Sequence, residues 1–133
     1  MDTERNAEVK IMLKNVLVVV DNIEESIKFY KEVFGLQVLL NQEENVILSE
    51  GLVLQDKKIW KEEINETITP YNNMTVLYFE DRDIEGVIKK YESGSYPIKY
   101  ATKLIELENK QKLVRFYDSS GNLIEVRTPA KYN

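Results

Sequence analysis

Apolar residues run continuously from Val16 to Val20 within VLVVVDN, the character of a buried strand rather than of a helix surface. Lys10–Val20 is the first strand expected, and it should lie inside a sheet. The period then changes. Ile23, Ile27, Tyr30 and Phe34 recur at helical spacing, so a helix with one apolar face packs on that sheet. Asn22 stands where a side-chain oxygen caps a first turn, and Glu25 completes the capping-box spacing. Gly35 ends the helix because it tolerates a left-handed backbone. From Leu36 the pattern shortens to strands at Leu36–Leu40, Val46–Leu48 and Leu52–Gln55, separated by the polar stretches NQEEN and SEG. Together they form an antiparallel meander. Lys57–Ile64 (KKIWKEEI) reads as a short amphipathic helix carrying Trp60, the only tryptophan.

The same order then returns. IEESIKFY at Ile23–Tyr30 reappears 61 residues on as IEGVIKKY at Ile84–Tyr91. The apolar flank VLVVVDN reappears as VLYFEDR, with Asp21 and Asp81 in step. A spacing this long, occurring once, is a duplicated module rather than a solenoid array. GLVLQ (Gly51–Gln55) and GNLIE (Gly121–Glu125) echo each other at the module ends. The second module is expected to run through a strand at Thr75–Phe79, a helix at Ile84–Glu92 stopped by Gly94, and strands near Ile98–Thr102, Lys112–Tyr117 and Leu123–Arg127. The turn DSSG, Asp118–Gly121, joins the last two strands as a hairpin. A single domain follows, with modules of about 10–64 and 74–130 and a linker at 65–73 broken by Pro70. The fold class is α+β: two βαβββ modules forming an incompletely closed eight-stranded mixed sheet with helices outside. At 133 residues the chain can bury a sizeable core, whereas a module of roughly 60 residues alone would be marginal.

Charge narrows the partners. Eighteen basic and 23 acidic residues give a net charge of −5, and the lysines are scattered among glutamates rather than gathered on a stripe. That argues against a nucleic-acid platform, where Lys and Arg contacts to phosphate supply most of the affinity. No apolar run reaches the roughly 20 residues of a membrane span. Residues 1–10 lack the apolar core and cleavage site of a secretory signal, and the chain has no cysteine, so a cytoplasmic protein is expected.

The order of elements, the first-module phrase VVVDNIEESIKFYKEVFGLQV and the last-module phrase LVRFYDSSGNLIEV resemble the vicinal oxygen chelate superfamily, which includes glyoxalase I, bleomycin-resistance proteins and extradiol dioxygenases. The resemblance covers about Met12 to Thr128. Where that family commonly writes Pro-Asp inside the final turn, this chain has Ser119 and Ser120, which leaves the hairpin intact. The resemblance implies metal ligands on the first and last strands of each module. The repeat alignment puts Asn15, Gln55, Thr75 and Glu125 at those places, and only Glu125 is a charged ligand. The chain has neither histidine nor cysteine. Two amides, a hydroxyl and one carboxylate are a poor set for zinc, iron or nickel, so no metal and no cofactor is expected. The same absence removes Ser-His-Asp and Cys-His catalysis.

What remains is a lined cavity. Leu123, Glu125 and Arg127 share one face of the last strand, and Arg115 and Tyr117 share a face of the strand before it. Arg115 is either a partner of Glu125 or turned outward. In the second case the amides of Asn15 and Gln55 hydrogen-bond the carboxylate, and the site keeps a negative charge. Trp60 and Tyr100 are aromatic wall or core residues, and Glu106 is a second pocket acid or a solvated charge. Three function classes stay open. The first is a metal-free protein binding a small molecule, such as a drug or a cationic aromatic compound. The second is a divergent lyase, isomerase or dioxygenase with a weak oxygen-ligated metal, or with Glu125 alone as a catalytic general base. The third is a sensing or assembly domain with a vestigial pocket. The resemblance also implies a homodimer.

Overall fold

The computed structural model describes residues 11–42 and 45–130, so the leader reading of residues 1–10, the strand start at Lys10 and part of the NQEEN turn lie outside the described residues. The first module runs β1 (Val16–Val20), α1 (Ile23–Phe34), β2 (Val38–Asn41), β3 (Asn45–Leu48), β4 (Leu52–Asp56) and α2 (Lys57–Ile64). The second runs β5 (Leu77–Glu80), α3 (Ile84–Ser93), β6 (Tyr100–Glu106), β7 (Lys112–Tyr117) and β8 (Leu123–Arg127). The strands form two four-stranded sheets, ordered β1-β4-β3-β2 and β5-β8-β7-β6. In each sheet the module's first strand runs parallel to its last, and the other pairs are antiparallel. The repeat in the letters is thus a repeat in topology, and the sheets do not close.

One expectation needs correction. β1 is an edge strand of its sheet, not an interior one, and Val16 and Leu17 are exposed. Its apolar run is long because both faces are used, Val18 and Val20 in the core and Leu17 and Val19 on a cleft described below.

The long helices lie on the core face of the sheets, opposite the face that carries Gln55 and Glu125. Asn22 Oδ1 accepts the Glu25 amide N–H at 2.9 Å, and Gly35 closes α1 at φ 72°, its N–H donating to Lys31 O. The buried residues of α1 are Ser26, Phe29, Tyr30 and Val33, with Ile23, Ile27 and Phe34 half-buried around them. This arc is wider than the expected stripe because α1 is covered from two sides. Its own sheet lies on one, and Phe79 and Phe116 of the second module meet Phe34 at ring separations of 4.1 and 6.2 Å on the other. Phe29 also meets Tyr91 of α3 edge-on at 6.1 Å, and Tyr91 stacks on Phe116 at 3.9 Å. Such pairs contribute about 0.5–1.5 kcal/mol each beyond buried area. They merge the core faces of both sheets into one cluster.

Polar contacts fix the seam. Asp118, at the start of the DSSG turn, accepts Tyr30 Oη–H at 2.7 Å, the amides of Ser120 and Asn122 at 2.9 Å each, and Asn122 Nδ2 at 3.0 Å. Burial pushes the Asp118 carboxyl and the Tyr30 phenol above their usual values, and for Tyr30 the neighbouring carboxylate adds to the shift. Asn122 Nδ2 also donates to Val19 O, and Ser120 Oγ accepts the Asp21 amide N–H, so the turn of one module caps the open edge of the other. Gly121 has φ 92°, and a Cβ there would stand 2.8 Å from Pro70 Cβ, so the linker packs where only glycine fits. No helix among the described residues is long and apolar enough to cross a membrane.

Candidate functional site

Strand alternation divides each sheet into a core face and an open face. Val18, Val20, Val46, Leu48, Leu52 and Leu54 take the core face of the first sheet, which leaves Leu17, Val19, Ile47, Val53 and Gln55 on the open one. On the second sheet Phe79, Val114, Phe116, Ile124 and Val126 face the core, and Tyr78, Arg115, Tyr117, Leu123, Glu125 and Arg127 face away.

The two open faces meet at a cleft of about 540 Å³. Its walls include Leu17 and Val19 of β1, Trp60 of α2, Ile68 and Pro70 of the linker, and Leu123 of β8. Trp60 is held there because Asp56 Oδ1 caps α2 through the Lys58 and Ile59 amides, and the helix then lies over β1 and β4. Thr75 borders the same cleft.

Beyond Leu123 on the same face of β8 sits Glu125, only 7% exposed. Both of its oxygens are taken. Arg115 Nε donates to Oε1 at 2.6 Å from the neighbouring strand, and Arg127 Nε donates to Oε2 at 2.7 Å from two residues further along β8. Arg115 Nη1 also donates to Thr102 Oγ1 at 3.2 Å, and the Arg127 guanidinium lies 5.8 Å from the Tyr78 ring centre. Burial pushes the Glu125 carboxyl up, but the bonds and charges of Arg115 and Arg127 outweigh it and hold the group below the usual glutamate value.

This geometry corrects several expectations. Of the two readings of Arg115 the geometry takes the partner one and adds Arg127, so two guanidiniums rather than the amides of Asn15 and Gln55 compensate the carboxylate, and the triad carries one net positive charge. Each Glu125 oxygen already accepts a guanidinium N–H, which disfavours taking up a proton there. Tyr100 does not share the Trp60 wall: its hydroxyl donates to Glu92 at 2.6 Å, and it lines a separate groove between α3 and β6. Glu106 is exposed and pairs with Lys110 at 3.9 Å, the solvated alternative. Arg127 and Leu123, although placed on the face of Glu125 by alternation, gave no sign of their roles, because an arginine two residues from a glutamate on a strand usually faces solvent.

Nor do the four alignment positions converge. Val16 pairs with Leu52 and Val19 with Gln55, so Asn15 stands next to Gly51, about 13 Å along the strands from Gln55. In the second sheet Tyr78 is the residue opposite Glu125, and Leu77 and Phe79 face the core. Since Val19 stands opposite Gln55 and Tyr78 opposite Glu125, the open-face position level with Asn15 is Met74, not Thr75. The glycine echo aligned letters, whereas strand register decides which side chains are level.

The glyoxalase-like domain family matches the chain over residues 13–130, nearly its whole length. The chain belongs to that family. Solved structures agree on the fold. A glyoxalase/bleomycin resistance protein/dioxygenase family enzyme from Burkholderia phytofirmans superposes with a TM-score of 0.72 at 15% identity, covering 89% of this chain and 98% of that one. A lactoylglutathione lyase from Agrobacterium tumefaciens gives 0.66 at 19% identity, covering 90% and 95%. The fosfomycin resistance protein FosX from Listeria monocytogenes gives 0.70 at 8% identity, covering 94% and 96%. No curated protein matches the sequence. The superfamily is thus the vicinal oxygen chelate one, the resemblance to which implied a metal at the positions named above.

The residues of this chain do not fit that metal. A divalent ion beside Glu125 would have to displace one guanidinium and sit beside another, and like charge at that distance opposes it. Among the described residues no group of three His, Cys, Asp or Glu side chains stands close enough to hold an ion.

Proposed function

We propose that the protein is a metal-free small-molecule binding member of the glyoxalase-like family, with the ligand seated in the cleft under Trp60. One observation carries this reading: the single carboxylate at the family's metal positions has both oxygens committed to arginines, so it serves neither as a metal ligand nor as a general base. What the site offers instead is concave apolar surface from two sheets, one large aromatic side chain and adjacent donors, the usual composition of a ligand site. The likeness in fold to a fosfomycin resistance protein supports a small molecule as the partner. A second copy of the chain completes the open faces in this reading. Its support is the exposed apolar run Val38–Leu40 on edge strand β2 and Leu104–Ile105 on edge strand β6, equivalent places in the two modules. The cytoplasm is the proposed compartment.

Trp60 makes the reading easy to test, because it is the only tryptophan and lines the cleft. A thermal-shift screen of small aromatic and aliphatic compounds, followed by Trp60 emission titrations of the hits, is expected to give saturable changes that Trp60→Phe abolishes in emission but not in melting. Metal analysis is expected to find no stoichiometric copper, nickel, zinc or iron, and methylglyoxal with glutathione is expected to give no turnover. Turnover restored by added metal and lost in Glu125→Gln would defeat the proposal.

A further inference from the structure

We infer that the ligand carries an anionic group, a carboxylate or a phosphate-type group, held by the guanidiniums of Arg115 and Arg127 across the top of Glu125. The inference rests on the small-molecule reading above and names the chemical class that the site selects.

Glu125 leaves guanidinium donors unused. Each arginine spends its Nε–H on the carboxylate, and Arg115 spends Nη1 on Thr102. Arg127 makes no bond from its terminal nitrogens to any described residue, and its guanidinium is oriented by Tyr78 beneath it. Both side chains remain partly exposed, 33% for Arg115 and 25% for Arg127. A carboxylate bonded through Nε alone fixes two guanidiniums on one face with terminal N–H donors to spare. Planar forks of this kind match the paired oxygens of carboxylates and phosphates. Glu125 is thus a positioning residue: it holds two like charges together while leaving the triad one charge positive.

The neighbours add to this. Lys99 lies 5.2 Å over the Tyr71 ring, and Tyr71 packs edge-on against Tyr117, two residues along β7 from Arg115 on the same face. The acid nearest by register is Glu80, opposite Arg127 in β5, and it is exposed and makes no ion pair with any described residue. Leu123 joins the two halves of the site, since it walls the Trp60 cleft and stands two residues, about 7 Å, before Glu125 on β8. A ligand with an apolar body in the cleft therefore reaches the arginines with an acidic group one ring away.

The test uses matched probes on the full chain: 2-naphthoate and a naphthylphosphonate as anions, naphthylmethylamine as the cation and naphthylmethanol as the neutral body. Binding is read from melting temperature and from 15N spectra that resolve the Trp60 indole and arginine Nε signals. The anions are expected to bind at least tenfold more tightly than the alcohol and to shift the Nε signals of Arg115 and Arg127. The amine is expected to bind more weakly than the alcohol. Arg127→Gln should remove most of the anion preference while leaving the alcohol's shift of the Trp60 signal, and Arg127→Lys should restore part of it. Equal binding of anion, cation and alcohol at Trp60 would overturn the inference and leave the small-molecule reading standing. No probe reaching Trp60 at all would overturn both. The wild-type comparison decides the question even if a variant fails to fold.

Discussion

On the first sheet the open face presents Leu17, Val19, Ile47, Val53 and Gln55; on the second it presents Tyr78, Arg115, Tyr117, Glu125 and Arg127. Strand order and direction are the same in both. The first face is nearly all aliphatic, and the second concentrates the charge and the aromatic rings. A duplicated scaffold therefore fixes where side chains point but not what they do. The halves have divided the work, one supplying apolar wall and the other polar recognition.

The largest effect should come from the charged face. Glu125→Gln removes the only anion between two guanidiniums that cannot separate without breaking β7–β8 packing. Breaking a buried pair costs roughly 3–5 kcal/mol, and the partial exposure of both arginines lowers the expectation to about 2–4 kcal/mol. Gln55→Leu on the other face should change stability by less than about 1 kcal/mol, because no charge loses a partner. Urea denaturation of both variants checks the pair, and equal losses would show that the faces are not differentiated.

Next in size is the seam that makes the two faces one molecule. Tyr30→Phe leaves Asp118 with three of its four donors and is expected to cost about 1.5–3 kcal/mol, the range for a hydrogen bond to a charged group. The transition should stay single, since both modules share one core. Two separate transitions, seen by Trp60 emission for the first module and far-ultraviolet dichroism for the whole chain, would mean that the halves are autonomous.

Acid should separate the faces more gently. The folded Glu125 lies below its ordinary value, so the stability it contributes is present above the usual carboxylate range and is lost as pH falls through the lower folded value. Asp118 works in the opposite sense. Burial raises it, so its protonation favours the folded state as pH falls. The difference between wild type and Glu125→Gln should therefore shrink toward low pH, with Asp118 common to both. A difference that does not vary with pH would mean that the arginines do not hold Glu125 ionised.

How much of this was visible in the letters follows the same division. Periodicity located the helices and strands because core burial dictates it. The cap at Asn22 and the stop at Gly35 were visible because each is a local interaction between near neighbours. The site was legible only as candidates. Arg115 had been weighed as a partner of Glu125, but Arg127 had no role, because whether a strand arginine folds back over its neighbour depends on Tyr78, 49 residues earlier in the chain. Thr75 was misplaced for a related reason. The flank VLYFEDR aligns with VLVVVDN one residue out of step with the strand register that sets Tyr78 level with Val19, and one residue on a strand is the other face.

The smallest prediction probes the quieter face and should have the opposite sign. Asn45 lies directly across from Gln55 in the antiparallel β3–β4 pair, and its Oδ1 is buried without a hydrogen-bond donor among the described residues. An unpaired buried acceptor costs about 1–3 kcal/mol relative to a satisfied one, so the native sequence carries a local penalty here. β3 is an interior strand, and valine is a better strand former than asparagine. Asn45→Val should therefore stabilise the protein by up to about 1 kcal/mol, less than the full penalty because packing is imperfect. Chemical denaturation of this variant beside Gln55→Leu decides the point. A loss above about 1 kcal/mol would show that Asn45 has a donor in solution, and the first face would then take part in polar recognition instead of only walling the cleft.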